Sequence, residues 1–207
     1  MEERNMTISI AQARNWFNSG NKQLQELALQ VFDRKDLTFR HIVTFKDACD
    51  VLGLKYSTDG TFSRSTSAMF KLNIIRKALN LGQDLHLTKN PEDSYTYYPH
   101  NPFVTKSSTY YKSEIDSGKM EVIGKIKSEG EEYNVLGGDA TFGGYAGLGY
   151  FYYFDGVGHA DADIGFLGCA SREIAEHFGK YFGMLITTAK YADIIKDFEV
   201  IESKYII

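Results

Sequence analysis

Cysteine, proline and tryptophan are scarce in this sequence, and long apolar runs do not occur in it. Only two cysteines, three prolines and one tryptophan are found among 207 residues. Cys49 and Cys169 lie far apart, so they form no closely spaced metal or redox motif and no disulfide framework, and we expect two buried thiols. No uncharged apolar stretch approaches the roughly 18 residues that a membrane-spanning helix needs, which predicts no membrane insertion.

Positive charge is also in short supply. The chain carries 23 Lys and Arg against 27 Asp and Glu, a formal net charge of −4, which argues against general binding of nucleic acid or of anionic membranes. The first residues hold charges with no apolar stretch behind them, so we expect no secretory signal peptide. With 43% hydrophobic and 24% charged residues, the composition is that of an ordinary globular protein.

Glycine is distributed unevenly along the chain. Residues 1–116 hold four of the nineteen glycines, and residues 118–183 hold the other fifteen. This change predicts two regions and an α+β fold class. We expect a helical docking or assembly region over 1–85. We expect a glycine- and aromatic-rich domain over 86–207, in which an antiparallel sheet is closed by a long C-terminal helix.

Helix signals are concentrated in the first region and near the C-terminus. A Ser, Thr or Asn before an apolar period of 3.6 residues predicts a helix start, and a following Gly predicts its end. The residues that predict such boundaries are Ser9, Gly20, Asn21, Thr44, Asp47, Gly53, Ser65 or Thr66, Gly82 and Ser171. The predicted inward faces are Leu24, Leu27, Ala28 and Val31; then Ala68, Leu72, Ile75 and Leu79; and, in the last helix, Ile174, Phe178, Phe182, Leu185, Ala189 and Ala192. In that last helix Gly179 and Gly183 lie four residues apart, which predicts close backbone packing on a sheet.

Strand signals begin near residue 120. The segments 120–126 and 133–136 flank a polar turn at 128–131, which predicts a hairpin. Residues 88–102 contain all three prolines and predict a loop with a patch of tyrosines. The tail from Phe198 onward predicts one more strand.

A second predicted hairpin covers residues 145–163. Side chains alternate with a period of two on both sides of a turn at 155–158, so each arm has two faces. Leu148 and Ile164 belong to the face that we expect to be buried. The opposite face carries aromatic and acidic side chains that we expect to be exposed.

Metal binding is the first chemical alternative for this hairpin. His159, Asp161 and Asp163 project from the same face of a strand, so three ligands are available for one metal ion. An exposed polar strand face explains the same alternation without a metal. We therefore predict that the chain needs no metal and no cofactor.

Catalysis has weaker support. Carboxylates at Asp139, Asp155, Asp161 and Asp163 offer pairs for glycoside hydrolysis, but nothing in the pattern raises the pKa of one of them. The paired glycines within 137–144 lack the Lys that a phosphate-binding loop requires. Cys169 precedes a helix start, yet its segment equally predicts a buried strand end. We therefore assign no catalytic residue.

Exposed aromatic side chains beside glycine and aspartate favour a binding surface, because rigid rings and adaptable polar groups together resemble a paratope. The predicted ligand-binding residues are Thr141, Phe142, Tyr145, Phe151, Tyr153, Asp155, His159 and Asp161. The alternative is that these rings are covered by the tyrosine loop or by an oligomer partner.

Four segments resemble a recurrent module of uncharacterised proteins from phages and prophages of gut Bacteroidales. They are Gly-Gly-Asp-Ala at 137–140, Ala-Gly-Leu at 146–148, Ile-Gly-Phe at 164–166 and the helix over 171–182. The helical segments at the N-terminus are similar to short helices in such proteins. More distantly, the block between these motifs resembles the variable regions of proteins diversified by phage retroelements, which commonly have a C-type-lectin-like fold.

This resemblance implies ligand binding without chemistry. We therefore expect a phage-encoded, non-enzymatic binding protein that is virion-associated, or in the bacterial host cytoplasm before assembly. Its surface over 139–163 would contact a protein or glycan ligand, and its N-terminal helices would contact other virion proteins, with a homo-oligomer as a further possibility. The alternatives are a phage enzyme that acts on glycan or nucleotide through the acidic cluster, and a purely structural capsid or tail component.

Overall fold

The computed structural model describes residues 8–55, 62–80, 96–109, 111–143 and 167–206. The helices of this part of the chain are α1 (Ile10–Asn18), α2 (Lys22–Val31), α3 (Arg34–Leu37), α4 (Phe45–Leu52), α5 (Arg64–Leu79), α6 (Lys112–Asp116) and α7 (Arg172–Tyr191). The strands are β1 (Thr96–His100), β2 (Phe103–Thr105), β3 (Glu121–Ser128), β4 (Glu131–Gly137), β5 (Asp139–Gly143) and β6 (Glu199–Ser203). The α+β class and the long C-terminal helix are confirmed.

Helices α1 to α3 form a small cluster of their own. Ser9 and Asn21 cap the first two helices as predicted, because their side-chain oxygens accept backbone N–H groups of the first turns. The predicted inward face of α2 is largely wrong: Ala28 is fully buried, whereas Leu27 and Val31 are 43% and 55% exposed. The short α3, which no sequence signal predicted, supplies the buried Leu37 that meets Ala28.

Helices α4 and α5 follow the capping rules closely. Thr44 and Asp47 form the predicted reciprocal capping box, and Gly53 ends α4 with a positive φ of 65°. The predicted stripe of α5 is buried throughout. Its start was misplaced, since Ser63 is the residue that accepts the Thr66 N–H and so caps the helix. The helix ends at Leu79, with Asn80 as its C-cap.

The main sheet is antiparallel, with strand order β2-β4-β3-β6. The predicted hairpin is confirmed as β3 and β4, and Glu129 and Gly130 form its two-residue turn with φ values of 51° and 85°. Positive φ at both turn positions matches the right-handed twist of the flanking strands. The C-terminal tail adds β6, as predicted.

A second sheet has two strands, and one of them, β1, lies in the segment 88–102 that was predicted to be a loop. Strand β1 pairs antiparallel with β5, and Tyr97 also forms a bridge to Cys169 on its other side. The prolines of this segment suggested a loop, because proline has no backbone N–H to donate to a neighbouring strand. A two-stranded sheet tolerates Pro99, since not every backbone N–H of its strands donates to a partner strand. The pairing joins residues about forty positions apart, which no local pattern reveals.

Helix α7 packs between α5 and the two sheets. Its apolar stripe is buried from Ile174 to Ala189, as predicted. Gly179 and Gly183 lie against the sheet: a Cβ atom on Gly183 would be 2.3 Å from the Asn101 side chain and 2.4 Å from Ile123. The close approach that their spacing predicted is therefore confirmed. Within the described ranges, no helix is long and apolar enough to cross a membrane.

Candidate functional site

The structure covers little of the predicted binding surface. Thr141 and Phe142 lie on β5, where their backbones pair with those of Tyr98 and Tyr97. The other six predicted binding residues, which are Tyr145, Phe151, Tyr153, Asp155, His159 and Asp161, lie outside the described residues. So do the 145–163 hairpin and its candidate metal ligands. The predicted surface therefore stays a prediction.

An open cleft lies elsewhere, where β3 begins and β4 ends. Its volume is about 490 Å³, which is in the range of small-molecule binding sites. It is lined by Ile115, Gly118, Lys119, Met120, Glu121, Val122, Gly137, Gly138, Lys180 and Lys204. These residues come from α6 and its following turn, from β3 and β4, from α7 and from the C-terminal tail.

Glycine shapes the wall of the cleft next to α7. A Cβ atom on Gly137 would lie 2.6 Å from the carbonyl oxygen of Gly179, so only glycine lets the end of β4 approach the helix this closely. Gly138 follows with φ of 106°, a conformation that other residues rarely adopt, and turns the chain from β4 into β5. The glycine pair that suggested a phosphate-binding loop therefore has a packing and turning role.

Glu121 is the charged centre of the cleft. Its carboxylate accepts hydrogen bonds from the Tyr205 hydroxyl at 2.7 Å and from Lys204, and it forms an ion pair with Lys180 at 2.9 Å. Partial burial by itself would raise the pKa of Glu121, but the bonds from Lys180, Lys204 and Tyr205 outweigh it and lower the pKa to about 2. This carboxylate is therefore ionised at neutral pH.

Asp139 forms a second ion-pair centre beside the cleft. Its carboxylate lies 3.0 Å from Arg172 and 3.1 Å from Lys119, and it is only 13% exposed. Arg172 also pairs with Glu176 at 2.9 Å. With Glu121 and its two lysines, this network holds four cations and three carboxylates, which gives it a surplus of one positive charge in a chain of net charge −4.

Cys169, which was weighed as a nucleophile, and a nearby histidine, His177, are both engaged in packing. Cys169 is buried, as Cys49 is, and burial raises the pKa of its thiol well above the ordinary value, which opposes its use as a nucleophile. His177 contacts the Ile42 carbonyl oxygen through Nε2 at 2.7 Å, and burial lowers its pKa. Among the described residues, no three His, Cys, Asp or Glu side chains come together as a metal site requires.

The sequence analysis did not single out the four charged residues that face the cleft, Lys119, Glu121, Lys180 and Lys204. They come from four different elements, and no local spacing relates them. The pairing of β3 with β6 is what brings Lys204 next to Glu121.

A search for family models, curated proteins and solved structures similar to this chain finds no match in any of the three.

Proposed function

We propose that this chain is a non-enzymatic binding protein and that its cleft holds an anionic group of the ligand. The observation that carries the proposal is the convergence of Lys119, Lys180 and Lys204 on an open cleft, where Glu121 is the one carboxylate among the described lining residues. An anionic group placed there gains charge-assisted hydrogen bonds, which are about twice as strong as neutral ones.

The ion pairs leave one lysine available to a ligand at each centre. Glu121 has two lysine partners and Asp139 has Lys119 and Arg172. When Lys204 turns to a ligand, Glu121 keeps Lys180, and when Lys119 does so, Asp139 keeps Arg172. Neither carboxylate is left unpaired, so binding avoids the penalty of an uncompensated charge.

Glu121 is better suited to binding than to proton transfer. A general acid or base works best with a pKa near the operating pH, whereas the three bonded partners of Glu121 lower its pKa to about 2. Asp139, the described member of the acidic cluster, is held by cations. The enzyme alternative therefore rests on carboxylates outside the described residues.

The biological setting stays a prediction that rests on resemblance. We propose a phage-encoded, virion-associated protein whose N-terminal region docks on other virion proteins. Exposed apolar side chains support such docking: Phe62, Met69 and Phe70, just before and on α5, are 68%, 42% and 64% exposed. If the protein is instead a structural component, the same surface is a contact between copies of this chain. Light scattering distinguishes these hypotheses, because an oligomer has a multiple of the mass of one chain.

The cleft is tested by titrating the protein with galacturonate and glucose 6-phosphate, and with glucose and galactose as neutral controls. We expect the two anions to shift the backbone amide signals of residues 118–122 and 137–138 in NMR spectra, and the neutral sugars to leave them unchanged. Lys204→Gln should weaken this binding roughly tenfold, the equivalent of about 1.4 kcal/mol.

Lys106→Gln is the matched control, because Lys106 pairs with Glu132 on the surface outside the cleft. It should bind the anions like the parent protein. Equal shifts with neutral sugars, or no shift at the cleft with either anion, would contradict the proposal.

A further inference from the structure

A row of four aromatic side chains runs from the N-terminal region to the cleft. We call Phe39, His177, Tyr181 and Tyr205 the aromatic row. Successive ring centroids are 5.2 Å, 4.5 Å and 4.7 Å apart. All four side chains are half-buried, so each keeps part of its surface in solvent.

The aromatic row lies beside the cleft and contacts its charged residues, although none of the four rings is among the cleft-lining residues that the structure describes. The Tyr205 hydroxyl donates to Glu121 at 2.7 Å. The Lys180 ammonium lies 5.7 Å from the centroid of the Tyr181 ring, and that of Lys204 lies 5.5 Å from the Tyr205 ring. The lysines that line the cleft therefore also flank the two rings nearest to it, so one ligand can reach both.

Resting on the proposed function, we propose that the cleft and the aromatic row together bind an acidic oligosaccharide. A uronate carboxylate lies among the lysines of the cleft, and a neighbouring sugar ring packs its C–H face on Tyr205 and Tyr181. Hydroxyl groups of the sugar donate to Glu121, whose ionised carboxylate is an acceptor only.

The charges at the site favour a saccharide over single-stranded nucleic acid, although both ligands combine anionic groups with stacking rings. A groove that tracks a nucleic acid backbone is strongly positive. The described ion-pair network beside this row has a surplus of one positive charge, and Arg40, which lies 5.7 Å from the centroid of the Phe39 ring, adds one more. Its carboxylates would repel successive phosphates, but they are hydrogen-bond acceptors for sugar hydroxyls.

The test compares tetramers of galacturonate, glucuronate, mannuronate and guluronate with their monomers, with maltotetraose and with a thymidylate tetranucleotide. Affinity is measured by calorimetry for the tetramers and by NMR shifts for the monomers. We expect at least one uronate tetramer to bind tenfold or more tightly than its monomer, because it reaches the aromatic row as well as the cleft. Maltotetraose and the tetranucleotide should bind more weakly than that tetramer.

Tyr181→Leu tests the row itself, since leucine keeps apolar volume but removes the ring. It should lower the affinity for the tetramer to that for the monomer, with both measured on this variant. Tyr133→Leu is the matched control, because Tyr133 is also a half-buried tyrosine that packs on another ring, with its centroid 5.5 Å from that of Phe103, but it lies outside both the aromatic row and the cleft. Amide spectra of both variants verify that they fold.

The outcomes separate the two proposals. If monomers bind at the cleft but no tetramer gains affinity, or if Tyr181→Leu keeps the gain, the oligosaccharide proposal is overturned and the proposed function stands. Tighter binding of the tetranucleotide than of every uronate tetramer would instead assign the row to single-stranded nucleic acid. If glucose 6-phosphate shifts the cleft signals but no uronate monomer does, only the oligosaccharide proposal is overturned. If neither glucose 6-phosphate nor any uronate monomer shifts them, both proposals fail together.

Discussion

The inward and outward faces of α7 differ in what they contribute to the protein. The inward face buries Ile174, Phe178, Phe182, Leu185 and Ala189 against α5 and neighbouring elements, and it places Gly179 and Gly183 on the sheet side. The outward face carries charged and aromatic side chains. Arg172 and Lys180 pair with charges from other parts of the chain, and His177 and Tyr181 contact rings from other parts of the chain. Glu176 pairs with Arg172 within the helix. One helix therefore organises the core with one face and the candidate site with the other.

This comparison teaches which substitutions should affect stability and which should affect binding. Inward side chains are surrounded by packed atoms, so each change of volume is felt. Outward side chains remain partly hydrated, so their loss has a small effect on folding. Four substitutions test this division, and they are given in order of decreasing effect on stability.

Phe178→Ala should have the largest effect. Phe178 is fully buried and its ring packs edge-on against Phe182 at 5.9 Å, so truncation leaves a cavity and should lower the free energy of unfolding by about 3–5 kcal/mol. Phe70→Ala is the control, because Phe70 is 64% exposed on α5, and it should change stability by about 0.5 kcal/mol or less. Urea denaturation measures both. Similar losses in the two variants would show that α7 is not the centre of the core.

Gly183→Ala tests close packing on the sheet side. Alanine favours a helix over glycine by about 1 kcal/mol, but the new Cβ atom would lie 2.3 Å from Asn101, whose amide already donates to Leu136 and Gly179. We expect a net loss of about 1–3 kcal/mol. Gly179→Ala should lose less, since its nearest neighbour is 3.2 Å away. A more stable Gly183→Ala variant in thermal melts would contradict the close approach.

Glu121→Gln tests the outward network through its pH dependence. The pKa of Glu121 is about 2 in the folded protein against an ordinary value of 4.5. A lowered pKa stabilises the fold above pH 4.5, and this stabilisation is lost as the pH falls towards 2.

The difference between parent and variant should therefore be about 1 kcal/mol at pH 7, after allowance for solvent screening, and should close between pH 4.5 and 2. Urea denaturation at a series of pH values measures it. Glu202→Gln is the control, because Glu202 is 59% exposed and pairs with Lys125 only at the surface. A difference for Glu121→Gln that is constant with pH would show that its ion pairs do not stabilise the fold.

Lys204→Gln should have the smallest effect on stability. Its side chain is half exposed, and Glu121 keeps Lys180 when Lys204 is removed, so we expect a loss of about 0.5 kcal/mol or less. The surface control Lys106→Gln should lose as little. The division between the faces predicts that only Lys204→Gln also weakens anion binding. A decrease of more than about 2 kcal/mol in the free energy of unfolding, measured by urea denaturation, would show that Lys204 mainly stabilises the fold.

Features that depend on neighbouring residues were predictable from the sequence. The Thr44–Asp47 capping box and the Ser171 cap are set by side-chain oxygens within three residues of the N–H groups they accept. The β3–β4 hairpin was predictable because two apolar segments flank a short polar turn. Two predictions failed. The α2 face is wrong at Leu27 and Val31, because α2 packs on α1 and α3 through Ala28. The predicted loop forms β1, because pairing with the distant β5 overrides the local preference.

The helix caps, the α7 stripe, the close packing of the α7 glycines and the first hairpin follow from the order of the amino acids, because periods of 3.6 and 2 residues and cap chemistry act over a few positions. The cleft, by contrast, exists only in the folded chain. Lys119, Glu121, Lys180 and Lys204 become neighbours when α7 packs on the sheet and β6 pairs with β3. The two partners of an ion pair can be any number of residues apart along the chain. Its partners, and hence the pKa of Glu121, depend on how the backbone folds through space.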